Sequence, residues 1–357
     1  MPKDTNWKYD LEEYIRQGEP DRVAKSAAWQ TAIGLQDVDG LKTSDYLFET
    51  AKDQIEGKIN ITQAQDRIHS YYEERKDRAD IEASTKEADI VSARITEILS
   101  EKTFQFSPAE LQSIHKRLFT GIFNHAGQFR TYNITKKEWV LNGETVIYSA
   151  YDSIKDTLDY DFGQEKQFSY EGLSAEEAIK HISAFTSGIW QIHPFGEGNT
   201  RTTAVFVLKY LRTFGFTFSN DVFAENSWYF RNALVRSNYN DFNKGISATD
   251  KYLVAFFENL ILGSDNELKN RYMHVDYDSS QSAKNDISKC QNVTLELSLE
   301  ETAILMLIKE NPGITQTELA EKTGKSKRTI IRRMSDLQEK GVITRENGKR
   351  NGRWVIL

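Results

Sequence analysis

The chain has little of several features that by themselves define a class of protein. Only one cysteine, Cys290, occurs in 357 residues, so no internal disulfide framework can form, and a reducing compartment, the cytoplasm, is expected. With one cysteine and six scattered histidines, a structural zinc site is not expected. No run of about 18 apolar residues occurs, so we expect no membrane partner. The N-terminus lacks the apolar core of a signal peptide.

Length and charge limit how the chain can be organised. A chain of 357 residues, 39% hydrophobic and 28% charged, fits a soluble protein of two or three domains. The net charge of −7 is unevenly spread, because 12 Lys/Arg and 8 Asp/Glu from Leu299 onward give +4 and leave −11 for the rest. A small basic module on an acidic body indicates nucleic acid as a partner, although a solvated charged surface is equally common.

Helical, polar and basic stretches divide the chain into parts. Helical periodicity with few strand signals fills the first three quarters, interrupted by a highly charged run at 75–87. A polar Ser/Asn-rich stretch follows near residue 280 and is typical of a linker. We predict a helical region at 1–80, a central domain at 81–265, a linker at 266–294 and a C-terminal domain at 295–357.

The chain is organised around residues 192–201, which read IHPFGEGNTR. Apolar residues recur at helical spacing from Ala178 to Ile192, and a second helix follows, with Asn199 or Thr200 placed to cap its start. The loop therefore leads into a helix N-terminus, where unpaired N–H groups and the helix dipole bind anions. Its two glycines let the backbone approach a phosphate closely. The sequence predicts a phosphate site with a histidine at its rim.

One stretch in the central domain has the pattern of β-structure. Residues 139–141 and 145–148 are rich in β-branched and aromatic residues, and they flank an Asn-Gly pair that favours a hairpin turn. A lone hairpin is marginal in water, so it must dock on the helices or offer an open edge to a partner strand. We predict that Val140, Leu141 and Asn142 form a flap that docks a target segment by β-augmentation.

These two stretches resemble the Fic family. The Fic motif reads HPFx[D/E]GNGRxxR and follows a hairpin flap and a GQ[I/F]RT element. Residues 193–201 read HPFGEGNTR and match every fixed position but one, and residues 127–131 read GQFRT. The resemblance covers roughly residues 90–262 and implies a helical Fic core with a β-hairpin flap.

The resemblance implies an activity and a role for each loop residue. Fic enzymes transfer AMP from ATP to a Ser, Thr or Tyr hydroxyl of a target protein. His193 matches the general base for that hydroxyl, Glu197 matches the acid that holds Mg²⁺, and Arg201 matches the partner of the β-phosphate. The implied nucleotide- and phosphate-binding residues are Gly196, Gly198, Asn199, Thr200, Arg201, Tyr229 and Asn232. The last two border the adenine pocket in Fic proteins, although aromatic residues at helical spacing are also typical of a core.

Two positions depart from the Fic motif. Thr200 stands where glycine is usual, and its Cβ narrows the space around the phosphates. The relative Doc has lysine there and transfers the γ-phosphate instead. Ala204 replaces the final arginine, which in repressed Fic proteins meets an inhibitory glutamate.

The N-terminal region resembles the antitoxin type of helical domain, fused here to its own toxin. Residues 35–40 resemble the inhibitory motif, with leucine for serine and Asp39 for glutamate. Both halves of the usual inhibitory ion pair are thus altered, so we expect the standard glutamate–arginine lock to be absent. A plain scaffold role for residues 1–75 is the alternative.

The C-terminal domain resembles a winged helix-turn-helix, whose third helix enters the DNA major groove while the wing touches phosphates. Three short helical patterns are followed by two strand patterns around a basic, glycine-containing tip. The predicted base-reading residues are Ser326, Lys327, Arg328 and Thr329, and the predicted phosphate contacts are Arg332, Arg333, Lys349 and Arg350. Protein contact is the alternative use of such a domain.

The sequence therefore predicts a mainly α protein with an N-terminal helical region, a Fic core and a winged helix. The predicted function is protein adenylyltransferase, with ATP as substrate and Mg²⁺ as cofactor, acting on a target protein or on the chain itself. DNA is the second predicted partner, and a homodimer stays open. The alternative is a Doc-like kinase or a nucleotide-binding transcriptional regulator without transfer activity.

Overall fold

The structure, a computed structural model, describes residues 20–73, 81–216, 222–277, 297–346 and 352–357. Over these residues it is mainly helical, with one two-stranded antiparallel sheet, as the sequence predicted. The helices are α1 (Pro20–Gly34), α2 (Asp45–Ile55), α3 (Ile61–Glu73), α4 (Ile81–Ser100), α5 (Pro108–Phe119), α6 (Ile154–Gln167), α7 (Ala175–Ile192), α8 (Asn199–Arg212), α9 (Val222–Ser237), α10 (Lys251–Leu262), α11 (Leu299–Glu310), α12 (Gln316–Thr323) and α13 (Lys327–Glu339). The strands are β1 (Ile343–Glu346) and β2 (Arg353–Ile356). None of the described helices has the length and apolar character that a membrane crossing requires.

The N-terminal helices α1 to α3 pack against α4. Their apolar residues form a cluster of their own around Trp29, Leu47 and Ile68, all fully buried. Ser44 caps α2, and its hydroxyl and amide both donate to the buried carboxylate of Asp89 in α4. The N-terminal region is therefore fixed to the central domain by polar as well as apolar contacts.

Helix α8 forms the centre of the main core. Its residues from Asn199 to Leu211 are all buried, which is typical of a helix surrounded by other helices. Helices α4, α5 and α7 pack around it, and its first turn consequently opens inside the domain. The helical spacing of apolar residues from Ala178 to Ile192 predicted one of these neighbours, α7, correctly.

The strands of the predicted flap hairpin do not form. Residues Trp139–Leu141 form one turn of 3-10 helix, and no β-ladder joins the described residues on either side of it. The predicted Asn-Gly turn does form, with positive φ at Asn142 and Gly143. Consecutive Val140 and Leu141 are both buried in the main core, which a strand with alternating faces cannot achieve.

The C-terminal domain has its own core and is attached to the Fic part. Helices α11 to α13 and the sheet bury a cluster around Ile304, Leu319 and Trp354. Strand β1 pairs antiparallel with β2, with Ile343 opposite Ile356. The attachment runs through the first turn of α11, because Leu299 and Ala303 belong to the main core.

The predicted linker at 266–294 begins too early. Residues 270–273 form a 3-10 turn, and Met273 is buried in the main core. The backbone amide of Val275 also donates to the Val140 carbonyl over 3.0 Å. Residues 266–277 therefore belong to the central body, and the rest of the predicted linker, from 278, lies outside the described residues.

Candidate functional site

The candidate site is the loop between α7 and α8. Helix α7 ends at His193, whose backbone is left-handed with φ of 48°, and α8 begins after Gly198, with φ of 76°. A left-handed histidine is uncommon and strained, since L side chains rarely adopt this conformation outside functional positions. These two left-handed residues turn the chain from the end of α7 into the start of α8.

The hydrogen bonds of His193 fix its proton on one nitrogen. Its Nδ1 lies 3.2 Å from the carbonyl oxygen of Trp190, which can only accept, so Nδ1 carries the hydrogen and Nε2 keeps a lone pair. Burial lowers the pKa of His193 well below its usual range, and the charge of Lys136 adds to this shift. The side chain is 3% exposed, with the ring of Tyr148 at 4.3 Å. His193 is therefore a neutral base in a closed site.

The GQFRT element supports this loop through Arg130. The buried guanidinium donates to the carbonyl oxygens of Ile192 and His193, and on its other side to those of Tyr132 and Ser149. The Arg130 amide donates to the Pro194 carbonyl over 2.9 Å. Arg130 therefore holds the backbone around the histidine, and all of its contacts are to carbonyl groups.

The start of α8 offers the amides that the sequence predicted. The backbone N–H groups of residues 196–201 donate to none of the described residues, as expected for a loop entering a first helical turn. The Asn199 side chain is used differently from the prediction, since its Oδ1 accepts from the Phe195 amide and its Nδ2 donates to the Phe195 carbonyl. Asn199 therefore braces the loop, and the backbone amides are left to receive an anion.

Thr200 does not narrow the anion site in the way its sequence position indicated. Its hydroxyl accepts a hydrogen bond of 3.0 Å from the Trp190 indole, and the residue is buried between α7 and α8. The side chain is thus directed toward the core, while its backbone amide stays in the first turn of the helix. The Thr200 side chain therefore gives no steric reason to expect a changed orientation of the nucleotide.

Both loop glycines have close neighbours at the place where a Cβ would lie. A Cβ on Gly198 would lie 2.4 Å from the ring of Phe119, and its φ is positive. A Cβ on Gly196 would lie 2.9 Å from the Tyr132 hydroxyl and 3.1 Å from His125 Nε2. These contacts add a packing reason for the glycines, while the close approach of a phosphate stays a prediction.

His115 in α5 also holds the loop in place. Its ring stacks on Phe195 at 3.7 Å, its Nδ1 accepts from the Gly127 amide at 2.8 Å, and its Nε2 donates to the Glu197 carbonyl at 3.0 Å. Burial lowers the pKa of His115 to about 4. A neutral His115 with its proton on Nε2 thus joins the GQFRT element to the loop.

Arg201 is enclosed by groups from the N-terminal region and α4. Its Nε lies 2.8 Å from a carboxylate oxygen of Asp39, and its two terminal nitrogens donate to Gln36 at 3.0 Å and Glu87 at 2.7 Å. The guanidinium is only 2% exposed. The residue that resembles the inhibitory glutamate, Asp39, thus meets the first arginine of the motif, whereas Ala204 has no charge to offer.

Glu197 is the carboxylate nearest to the anion site that faces solvent. Its side chain is 57% exposed and lies 2.8 Å from the ammonium of Lys136. No group of three or more potential metal ligands occurs among the described residues. One exposed carboxylate fits Mg²⁺, which proteins commonly hold by one or two carboxylates together with substrate phosphates and water.

The two predicted adenine contacts lie side by side on α9. Tyr229 is buried and packs near Phe256, as a core residue does. Asn232 is buried and donates to Asn270 at 2.8 Å, but its Oδ1 has no hydrogen-bond partner among the described residues. A buried carbonyl oxygen without a donor is uncommon, and contact of Asn232 with adenine stays a prediction.

The predicted target-docking residues do not form an accessible strand edge. Val140 and Leu141 are buried, so neither side chain can contact a target in this conformation. The preceding residue, Glu138, is also buried and pairs with Arg231 through both carboxylate oxygens, at 2.9 and 3.0 Å. Of the predicted set, only Asn142 at the turn is exposed.

The predicted DNA-reading helix is α13, and its residues divide into two groups. Lys327, Arg328 and Arg332 are exposed and form no ion pair with the described residues. Arg333 pairs instead with Glu300 at 2.8 Å, so it secures α13 to α11 and is a poor candidate for a phosphate contact. The hydroxyls of Ser326 and Thr329 bond to each other at 2.9 Å in the helix cap, and the predicted contacts Lys349 and Arg350 lie outside the described residues.

Sequence reasoning assigned no role to three polar residues that the fold brings to the loop. Lys136, His115 and Arg231 meet partners that are 61, 82 and 93 residues away in the chain. Contacts over such separations leave no periodic or spacing signal in a single sequence. Lys136 alone had a local indication, since it lies in the segment just before the predicted flap.

Comparison with known proteins agrees with this geometry. The Fic/DOC family model matches residues 105–211, and the winged helix-turn-helix DNA-binding model matches residues 301–344. The protein adenylyltransferase VbhT of Bartonella schoenbuchensis is 27% identical over 112 residues, which are 31% of this chain and 22% of that protein. A Fic family protein from Desulfovibrio desulfuricans G20 aligns over 100% of this chain and 96% of its own, with a TM-score of 0.43 and 13% identity. The last likeness is too distant to add to the sequence matches. The chain carries a Fic/DOC family domain, which contains the loop of His193, followed by a winged helix-turn-helix domain.

Proposed function

We propose that the chain is a protein adenylyltransferase that transfers AMP from ATP to a hydroxyl group of a protein. The observation that carries the proposal is the position of a neutral His193, with its Nε2 lone pair free, beside the unpaired amides of residues 196–201. A general base and an anion site are the two elements that phosphoryl transfer to a hydroxyl requires. The likeness to VbhT, itself named a protein adenylyltransferase, supports AMP as the transferred group.

In the proposed reaction the target hydroxyl oxygen attacks the α-phosphorus of ATP. Its proton passes to Nε2 of His193, and the bond between the α-phosphorus and the oxygen that bridges to the β-phosphate breaks. Diphosphate leaves with that bridging oxygen, and the target retains an O-linked AMP. The amides at the start of α8 stabilise the charge that builds on the α-phosphate oxygens.

Two features support ATP and Mg²⁺ as the ligands of this site. The exposed carboxylate of Glu197 would hold Mg²⁺, which supplies charge neutralisation to the phosphates when bound. The unpartnered Oδ1 of Asn232 would accept from the exocyclic amine of adenine. Arg201 would meet the β-phosphate only after exchanging one of its present acidic partners.

The proposal is tested with purified protein, Mg²⁺ and ATP labelled at either the α- or the γ-phosphate. We expect label from the α position in protein, lost in His193→Ala and retained in a matched control, His274→Ala. Label from the γ position would identify a kinase. Absence of label from both positions, with ATP bound, would identify a nucleotide-binding regulator without transfer activity.

We further propose that the winged helix binds DNA through the exposed face of α13. Lys327, Arg328 and Arg332 present three cations on that face without competing carboxylates among the described residues. Fluorescence anisotropy with random-sequence duplex DNA at several salt concentrations measures this binding. Affinity that does not fall with salt would contradict a phosphate-dependent interaction.

A further inference from the structure

Lys136 is a cation placed over the candidate loop by the segment that covers it. Its backbone amide donates to the Thr145 hydroxyl at 3.1 Å, which ties the two arms of the covering segment together. Its ammonium lies 2.8 Å from Oε2 of Glu197, so it reaches the loop between His193 and the start of α8. The side chain is partly exposed, and its partner Glu197 is mostly exposed.

The arginines around the loop are already engaged by buried groups. Arg130 donates only to backbone carbonyls, and Arg231 is held by both oxygens of the buried Glu138. Arg201 has three partners and is almost completely buried. Lys136 differs from all three because its one ion-pair partner among the described residues is an exposed carboxylate, and such pairs contribute only about 0–1 kcal/mol. Its contact can therefore be exchanged at little cost.

Resting on the proposed adenylyltransferase function, we propose that Lys136 binds the β- and γ-phosphates of ATP. The position of the final motif arginine is occupied by Ala204, so the loop itself offers no second cation for the outer phosphates. An ammonium on a flexible four-carbon stem can leave Glu197 and pair with phosphate oxygens in the same site. Glu197 is then free to hold Mg²⁺. Without a nucleotide, Lys136 and Glu197 pair with each other.

The neighbouring residue supplies a matched control. Lys137 is exposed, has the same side chain, and forms no ion pair with the described residues. Lys136→Met and Lys137→Met therefore remove the same charge from adjacent positions of the same segment. Lys136→Arg keeps the charge and serves as the conservative variant.

The test is calorimetric binding of ATP, ADP and AMP with Mg²⁺ to the full chain, with His193→Ala in every protein to prevent turnover. We expect Lys136→Met to bind ATP about tenfold more weakly, equivalent to about 1.4 kcal/mol, and to bind AMP as the parent does. Lys136→Arg should recover most of the loss, and Lys137→Met should match the parent.

Four results would overturn the assignment. Unchanged ATP affinity in Lys136→Met, with normal binding by the parent, overturns the role of Lys136 and leaves the transferase proposal standing. Tighter ATP binding, or a lower Mg²⁺ requirement, means that Lys136 competes with the metal for Glu197. An equal loss for AMP and ATP means that Lys136 only supports the fold. Absence of nucleotide binding by the parent and by the wild-type chain removes both proposals together.

Discussion

Substitution of Asp39 by asparagine tests whether the N-terminal region restrains the site. The asparagine side chain has nearly the same shape but lacks the charge that lies 2.8 Å from the Arg201 guanidinium. The two groups form an ion pair, but the Arg201 Nε makes no hydrogen bond with a described acceptor. Because Asp39 is partly exposed, removal of its charge weakens the contact by up to about 1 kcal/mol.

The released interaction energy should appear in nucleotide binding. If the β-phosphate must displace Asp39 to reach Arg201, removal of up to about 1 kcal/mol of competing interaction raises ATP affinity by up to about fivefold. The assay is calorimetric titration of ATP and AMP into Asp39→Asn, with His193→Ala as the common background. AMP lacks the β-phosphate, so its affinity should not change.

The control for this prediction is Glu101→Gln, which breaks an ion pair of 2.6 Å to Arg117 at the far end of α4. That variant should bind ATP as the parent does. ATP affinity that is unchanged or lower in Asp39→Asn would refute the reasoning, and so would an equal gain for AMP. Deletion of residues 1–75 is a poorer test, because it also removes buried residues of α1 such as Trp29.

Four further predictions follow from groups described above. Because burial lowers the pKa of His193, its imidazole stays neutral at pH values below the usual histidine pKa. The transfer rate should therefore stay level from pH 8 to 6. A fall in rate centred near pH 6.5 would contradict this. In His115→Gln the side chain can still donate to the Glu197 carbonyl, and in His115→Asn it can still accept from the Gly127 amide. Because the first bond holds the loop, His115→Gln should retain the higher transfer rate. A higher rate in His115→Asn would mean that the bond to Gly127 matters more. Burial lowers the pKa of Lys209 to about 8, so below that pH the folded state carries an unfavourable buried charge. As the pH rises, the folded protein releases the Lys209 proton at a lower pH than the unfolded chain does. Denaturant unfolding should therefore show wild-type stability rising relative to Lys209→Met by up to about 3 kcal/mol from pH 8 to 10.5, and a flat difference would be inconsistent with the shifted pKa. Finally, Arg332→Gln should reduce the slope of log affinity for DNA against log salt concentration by about 1, whereas Arg333→Gln should lower the stability of the fold. Equal salt slopes for the two variants would count against the division of α13 into two groups.

Local signals predicted most of the helices. Ser44, Ser107 and Thr315 accept hydrogen bonds from the third residue of the helices they begin, and this capping depends on residues adjacent in the chain. The same locality explains why the closing strands of the winged helix were predicted correctly. Interactions of this kind can be read from a single sequence because both partners lie within one turn.

The flap was predicted wrongly for the opposite reason. The Asn-Gly turn formed as expected from its dihedral preferences, but the β-branched residues around it did not pair. Val140 and Leu141 gain more from burial together in the main core than from alternating on a ladder, so tertiary packing outweighed local propensity. The local sequence determines the turn, but it does not determine where the residues on either side of the turn pack.

The site was predicted in part. The spacing of the loop predicted that His193, Glu197 and the helix start lie close together, since they fall within ten residues of one another. The partners of Arg201 could not be predicted, because Gln36 and Glu87 come from separate helical regions more than 100 residues earlier. Which group neutralises a buried charge depends on the assembled fold.

The placement of α7 has a mechanical consequence. This helix begins at Ala175, whose amide donates to the Leu297 carbonyl at 2.7 Å, and it ends at His193. Eighteen helical residues span about 27 Å without a break, so the winged helix and the histidine are joined to opposite ends of one rod. We expect a displacement of α7 by the winged helix to reach the end of the helix that carries the histidine. By thermodynamic reciprocity, any effect of DNA on nucleotide affinity must be matched by an equal effect of the nucleotide on DNA affinity.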